Sequence, residues 1–232
     1  MWPLADTAKQ KRPAVVTGLL IAANLGVFAW ELWLGLAGGD RRWAGFVTEH
    51  ALVAKRLIGH PGDAQQWLTV LTHLFLHGGV AHGVGNLWFL WIFGRPVENR
   101  LGPVKYLLSY LLAGGSATTA QVIVDPGSTV PMLGASGAIS GVLGAYLILF
   151  PTAWVWALVP WIVPVLPVPA VVFLVLWFAF QMGGGLGALA AGIEGGVAWW
   201  GHAGGFAAGA ALVAWAKRAG WGGRREGRGR PG

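Results

Sequence analysis

The chain contains no cysteine, and only 11% of its residues are charged. The first absence removes disulfides, thiol nucleophiles and thiolate metal sites together. The second excludes an ordinary water-soluble domain, whose surface needs about a quarter of its residues charged. Acidic side chains are scarcer still, at 9 in 232 residues. That scarcity leaves few carboxylates for a paired-aspartate site or a proton relay within helices. What is present is apolar: 55% hydrophobic residues and a mean hydropathy of +0.60. Lipid is therefore the expected solvent for most of the surface. The 38 glycines follow no triplet period, which excludes collagen and suits close helix packing in a membrane.

A helix needs roughly 17 to 25 apolar residues to cross a bilayer, and the chain reads as six such segments. The first spans Ala14 to Leu36, behind the basic Lys9, Lys11 and Arg12. A large polar first loop runs from Gly38 to Gln66, and Trp67 to His77 returns along the membrane surface until Gly78-Gly79 interrupts it. The second helix is expected from Val80 to Phe93, the third from Pro103 to Val124, and a short fourth from Ser136 to Phe150, before Pro151. Four prolines between Trp154 and Pro169 argue for a surface-lying or broken segment. The fifth helix then covers Ala170 to Met182, a glycine-rich loop Gly183 to Gly196, and the sixth helix Val197 to Ala216.

This gives a cytoplasmic basic N-terminus at 1–13, a membrane domain at 14–217 and a disordered basic tail at 218–232. The net charge of +7 follows the same topology. Of 16 Lys and Arg, three lie in the N-terminal segment, three in or at the edge of the turn between the second and third helices (Arg95, Arg100 and Lys105) and six after Ala216; Arg41, Arg42, Lys55 and Arg56 alone lie on the other face. The positive-inside rule puts both termini in the cytoplasm, and the basic excess reads as topology and lipid contact without nucleic acid. Compactness points to a bacterial inner membrane.

Polar groups inside membrane helices are expensive and ask for an explanation. His82 precedes Arg95 by thirteen residues, Ser136 precedes Pro151 by fifteen, and His202 precedes Lys217 by fifteen. At 1.5 Å per residue, all three lie roughly 20 to 22 Å from the inner face. Gly137, Gly141 and Gly144 on the fourth helix and Gly201, Gly205 and Gly209 on the sixth let those two backbones approach. Ser136 would then meet His202, while His82 and Asn86, one turn apart, aim at the same point. The chemistry suggested is acyl transfer: Ser136 as nucleophile, His202 as general base, and His82, Asn86 and the Ser136 backbone amide as oxyanion donors. His77 reads as a group holding the returning loop. Trp177, Phe178 and Phe180 read as packing or lipid contacts, with a side gate as the sharper alternative. Neither a metal nor a cofactor is expected, because Gly78-Gly79 takes His82 off the face shared by His73 and His77 and no HExxH is present.

The motifs Phe75-Leu76-His77-Gly78-Gly79, His82-x-x-x-Asn86, GASGAISG at 134–141 and Gly201-His202-Ala203-Gly204-Gly205-Phe206 with Gly209 resemble those of the rhomboid intramembrane serine proteases. Asn24, in an apolar run ending at Glu31, is similar to the family's opening. The resemblance implies an all-α, six-transmembrane-helix bundle with a large first loop and a fourth helix starting inside the membrane. It implies a Ser136–His202 dyad without aspartate, an oxyanion hole including His82 and Asn86, and transmembrane protein segments as substrates, cut near the outer face. A catalytically silent relative that binds client transmembrane helices is the alternative. Position 140, often aromatic in the family and stacked on the imidazole, is Ser140 here. A hydrogen bond or tighter packing must then orient His202. Arg42-Trp43 reverses the family's loop pair. A polar cavity open to the outside, capped by a mobile loop at Gly183 to Gly196, is expected over the site.

Overall fold

The computed structural model describes residues 1–159, 163–192 and 197–219. Of the tail expected to be disordered at 218–232, Arg218 instead closes α9 and Ala219 caps it; Gly220 onward, and part of the loop expected before the last helix, lie outside the described residues. In chain order the elements are β1 (Trp2–Asp6), α1 (Val15–His50), α2 (Ala54–Gly59), α3 (Ala64–Thr72), α4 (Val80–Phe89), α5 (Arg95–Leu101), α6 (Pro103–Val124), α7 (Ser136–Leu149), β2 (Trp154–Val159), β3 (Val163–Pro169), α8 (Ala170–Ala191) and α9 (Trp199–Arg218). Among the described residues three helices, α1, α6 and α8, are long and apolar enough to cross a membrane, and α7 is a shorter apolar helix.

At the centre stands α7. Every residue from Gly137 to Tyr146 is buried, the pattern of a helix apolar on all sides and enclosed by others. Its main partners are α9 and α6, and backbone proximity explains why. A Cβ placed on Gly205 would run into the Gly137 carbonyl oxygen, one on Gly209 into that of Gly141, and one on Gly144 into that of Phe206. On the α6 side, a Cβ at Gly137 would lie 2.6 Å from the Ala117 methyl. Glycine is thus required on both sides of the α7–α9 contact, as in small-residue packing between membrane helices. Below this contact the core is aromatic: Phe93 meets Tyr146 edge-on at 5.0 Å and stacks with Phe173 at 6.0 Å. In contrast, Val171, Val172, Val175, Leu176 and Phe180 on α8 are exposed, forming a face suited to lipid.

Several boundaries differ from the sequence expectation, each for a physical reason. The first helix continues past Leu36 to His50, with a kink at Gly39, whose φ of 69° only glycine adopts readily. The expected polar loop therefore holds the end of α1 and α2, and the expected returning loop is the helix α3. Asp63 caps α3 by accepting a hydrogen bond from the Gln65 amide at 2.9 Å. The second helix passes into a π-helical turn at Leu90–Gly94 and then into α5. Pro96 has no amide hydrogen, so widening the preceding turn accommodates its ring.

Within the segment expected to be surface-lying or broken, β2 and β3 pair antiparallel, and β1 is added in the order β1-β2-β3. The fold is therefore mostly helical with a small sheet, a correction to the all-α expectation. The prolines exclude helix, but β3 is an edge strand, where a missing donor costs no ladder bond. Val155 and Ala157 are buried while Trp154, Trp156 and Leu158 are exposed, the two-residue alternation of a strand. The expected tail at 1–13 accordingly begins as a strand. Trp88 donates to the Pro3 carbonyl at 2.6 Å, and Tyr146 donates to the Asp6 carboxylate at 2.6 Å. Finally, Gly183 to Ala191, expected as loop, continue α8. A Cβ at Gly184 would lie 2.7 Å from the Trp199 ring and one at Gly185 3.0 Å from that of Trp200, so these glycines serve packing.

Candidate active site

Ser136 is the first residue of α7, and His202 lies in the first turn of α9. The glycine contact between the two helices brings them together: His202 Nε2 is 2.8 Å from Ser136 Oγ. The approach to Ser136 is fixed from two sides. Leu52 and Met132 exchange backbone hydrogen bonds at 3.2 and 2.7 Å, and the Gly134 amide donates to the His73 carbonyl at 2.8 Å. Gly134 has φ of 114°, which a side chain would strain. Ser140, one turn further along α7, donates to the Ser136 carbonyl at 2.6 Å. It makes an ordinary back-bond within its helix and leaves the imidazole to other partners.

Those partners come from α8. Gln181 Oε1 is 2.9 Å from His202 Nδ1, and the Trp177 ring lies 6.2 Å from the imidazole, centroid to centroid. Trp177 also stacks on Phe206 at 5.9 Å, and Phe178 contacts Phe206 at 4.9 Å. Both therefore pack inward, while Phe180 is exposed. Gln181 was not among the residues singled out in the sequence. The available signal was an uncharged polar side chain within an otherwise apolar helix, placed too near the expected helix end at Met182 to attract notice.

His82 and Asn86 converge on the other side of Ser136. A Cβ at Gly134 would lie 2.9 Å from His82 Nε2 and 3.4 Å from Asn86 Nδ2, so both side chains crowd onto the backbone two residues before the serine. The Gly78 amide donates to His82 Nδ1 at 3.3 Å, which leaves Nε2 to carry the proton of a neutral ring. Asn86 Nδ2 is buried and has no hydrogen-bond partner among the described residues. Behind them, Glu31 accepts from the His77 amide at 3.1 Å and sits 3.3 Å from His77 Nδ1. This buried pair anchors α1 to the turn before α4. His73 makes a separate contact, 3.3 Å from the Thr118 hydroxyl.

The Ser136–His202 pair borders a narrow crevice that His73, Gly134 and Gly201 also line. Met132 and Ala198 line both this crevice and a neighbouring cavity of about 260 Å³, which lies at the C-terminal ends of α6 and α8 and the start of α9. Gln121, Asp125 and Ser128 give that cavity its polar groups, and Trp199, Trp200 and Leu189 its apolar ones.

A family model described as the Rhomboid domain matches residues 64–218. The chain is 43% identical over 82 residues to Rhomboid protease GluP of Bacillus subtilis (strain 168), which is 35% of this chain and 16% of that protein. It is 39% identical over 90 residues to Rhomboid-like protein 11, chloroplastic, of Arabidopsis thaliana, 39% of this chain and 31% of the relative. With Presenilin-associated rhomboid-like protein A, mitochondrial, of Danio rerio, identity is 28% over 138 residues, 53% of this chain and 36% of the relative. The chain thus spans well under half the length of each. The family match takes in every element from α3 to α9, including those that carry Ser136 and His202, and the chain, an integral membrane protein, belongs to the rhomboid family.

Proposed function

We propose that this protein is an intramembrane serine endopeptidase that cleaves transmembrane segments of other membrane proteins near the outer face. The observation that carries the reading is the 2.8 Å contact between Ser136 Oγ and His202 Nε2, within hydrogen-bond distance for direct proton transfer. Six membrane spans are proposed: the first part of α1, α4 with its π-turn, α6, α7, α8 and α9. Twelve of the 16 basic residues then fall on the side of the termini, supporting a cytoplasmic location for both. In a bacterium the host bilayer would be the inner membrane.

In the proposed reaction, neutral His202 takes the Ser136 hydroxyl proton on Nε2 as Oγ bonds to the scissile carbonyl carbon. The carbonyl π pair moves onto its oxygen. Nε2–H of His82, Nδ2–H of Asn86 and the Ser136 amide at the start of α7, the last two without a partner among the described residues, are the donors for that oxyanion. Collapse breaks the carbon–nitrogen bond, and the imidazolium gives its Nε2 proton to the leaving amine. Water entering by the cavity beside the start of α9 then attacks the acyl carbon as His202 takes its proton. Collapse breaks the ester carbon–oxygen bond, the imidazolium returns the proton to Ser136 Oγ, and the new carboxyl end leaves. Neither step calls for a metal or cofactor.

Fluorophosphonate capture tests the nucleophile. The purified protein is incubated with the probe, digested and analysed by mass spectrometry. The adduct is expected on Ser136 and absent from His202→Ala; labelling elsewhere, or equal labelling of both proteins, contradicts the dyad.

A further inference from the structure

A serine–histidine pair leaves one question open, namely what decides which imidazole nitrogen carries the proton. A neutral ring holding its proton on Nε2 would donate to Ser136 and could not act as its base. In water-soluble triads a buried carboxylate fixes the tautomer by accepting from Nδ1. Here the Gln181 amide oxygen lies 2.9 Å from Nδ1. Gln181 is 6% exposed, and it sits in a helix whose opposite side presents Val172, Leu176 and Phe180 outward.

Resting on the peptidase reading, we propose that Gln181 is a positioning residue that completes the dyad into a Ser136–His202–Gln181 relay. Its amide oxygen holds the proton on Nδ1 and leaves Nε2 as the base. Three observations make the assignment specific. The oxygen can accept from Nδ1–H in the neutral ring and in the imidazolium alike, and the bond strengthens when charge develops. A neutral amide does this without a buried carboxylate, which is costly at membrane depth. Ser140 is turned to its own helix backbone, so orientation falls to α8, where Gln181 meets the ring at Nδ1 and Trp177 makes a tilted ring contact with it at 6.2 Å. The Nδ1 proton stays in place throughout; only the Nε2 proton is exchanged with serine, amine and water.

The test reads the proton directly and the rate separately. In ¹⁵N-histidine-labelled wild type, with His202→Ala for assignment, His202 is expected to show protonated Nδ1 and unprotonated Nε2. Gln181→Met, similar in size but lacking the acceptor, is expected to lose that preference. Its kcat on a single-span substrate should fall about 10- to 100-fold at nearly unchanged KM. Gln181→Glu, which restores an oxygen at the same reach, should recover most of the rate. A wild-type ring protonated on Nε2 overturns the proposal whether or not the Met variant folds, as does a folded Gln181→Met with wild-type kcat. If the wild type neither cleaves nor captures the fluorophosphonate, the peptidase reading falls, and the ¹⁵N spectrum still decides whether Gln181 sets the ring.

Discussion

Gly205→Ala adds one methyl group to the face of α9 that touches α7, and the structure sets the size of the response. The new Cβ would fall on the Gly137 carbonyl oxygen, with the Ala117 methyl a further 3.4 Å neighbour. Carbon–oxygen contacts of this kind settle at about 3.3–3.6 Å, so the helices must part by on the order of 1 Å. His202 stands one turn before Gly205 on α9, and Gly137 directly follows Ser136 on α7. Separation there stretches the 2.8 Å contact between Ser136 and His202 past the length of a useful hydrogen bond. Misplacement on this scale costs about 100-fold in rate, and forcing a methyl into a filled interface costs about 1–3 kcal/mol of stability. The control is Gly183→Ala: nothing lies within 4 Å of its Cβ, and it sits in α8, where alanine replaces glycine favourably. Cleavage of a fluorogenic single-span substrate and thermal unfolding in detergent should show both losses in Gly205→Ala and neither in Gly183→Ala. A Gly205→Ala protein with wild-type kcat and an unchanged unfolding midpoint would refute the argument that glycine contact sets the site.

Removing an oxyanion donor should act on turnover alone. His82→Ala and Asn86→Ala are each expected to lower kcat by about 100- to 1000-fold with little change in KM, and a change confined to KM would assign them to substrate binding. A pH effect is expected far from the site. Burial pushes the Asp6 carboxyl up from its ordinary range, partly offset by the Tyr146 hydroxyl bond and Arg95. The folded chain then holds this proton more tightly than the unfolded one, so stability is lost as pH rises through the folded value. Asp6→Asn should show little advantage in acid and a growing one towards neutral pH. A pH-independent difference in unfolding midpoint contradicts the shift.

The parts of the fold legible in the sequence are those governed by one rule at a time. The start of α7 follows from a glycine-rich turn before an apolar run, and its end from Pro151. The glycine spacing on α7 and α9 announced their contact because, in lipid, close packing takes over the role of hydrophobic burial. Where two rules competed, the reading failed. Prolines between Trp154 and Pro169 excluded helix but did not reveal a sheet, in which β3 is an edge strand on β2 and β2 takes as its other partner β1, about 150 residues away in the chain. Gly184 and Gly185 read as loop because their packing partners, Trp199 and Trp200, belong to the next helix. Gln181 shared that error: a helix ended at Met182 makes residue 181 a terminal polar group, whereas a helix extended to Ala191 buries it beside His202. The kink at Gly39 was hidden in the same way, since Gly38-Gly39 looks like a terminus and only the tertiary path shows the helix resuming.

The most direct measurement of the central claim is cleavage of a single-span protein in liposomes by the wild-type chain and by Ser136→Ala, with the products identified by mass spectrometry. The account predicts a cut within the substrate's membrane segment, close to its outer end, by the wild type and none by Ser136→Ala. Equal cleavage by both proteins would contradict it.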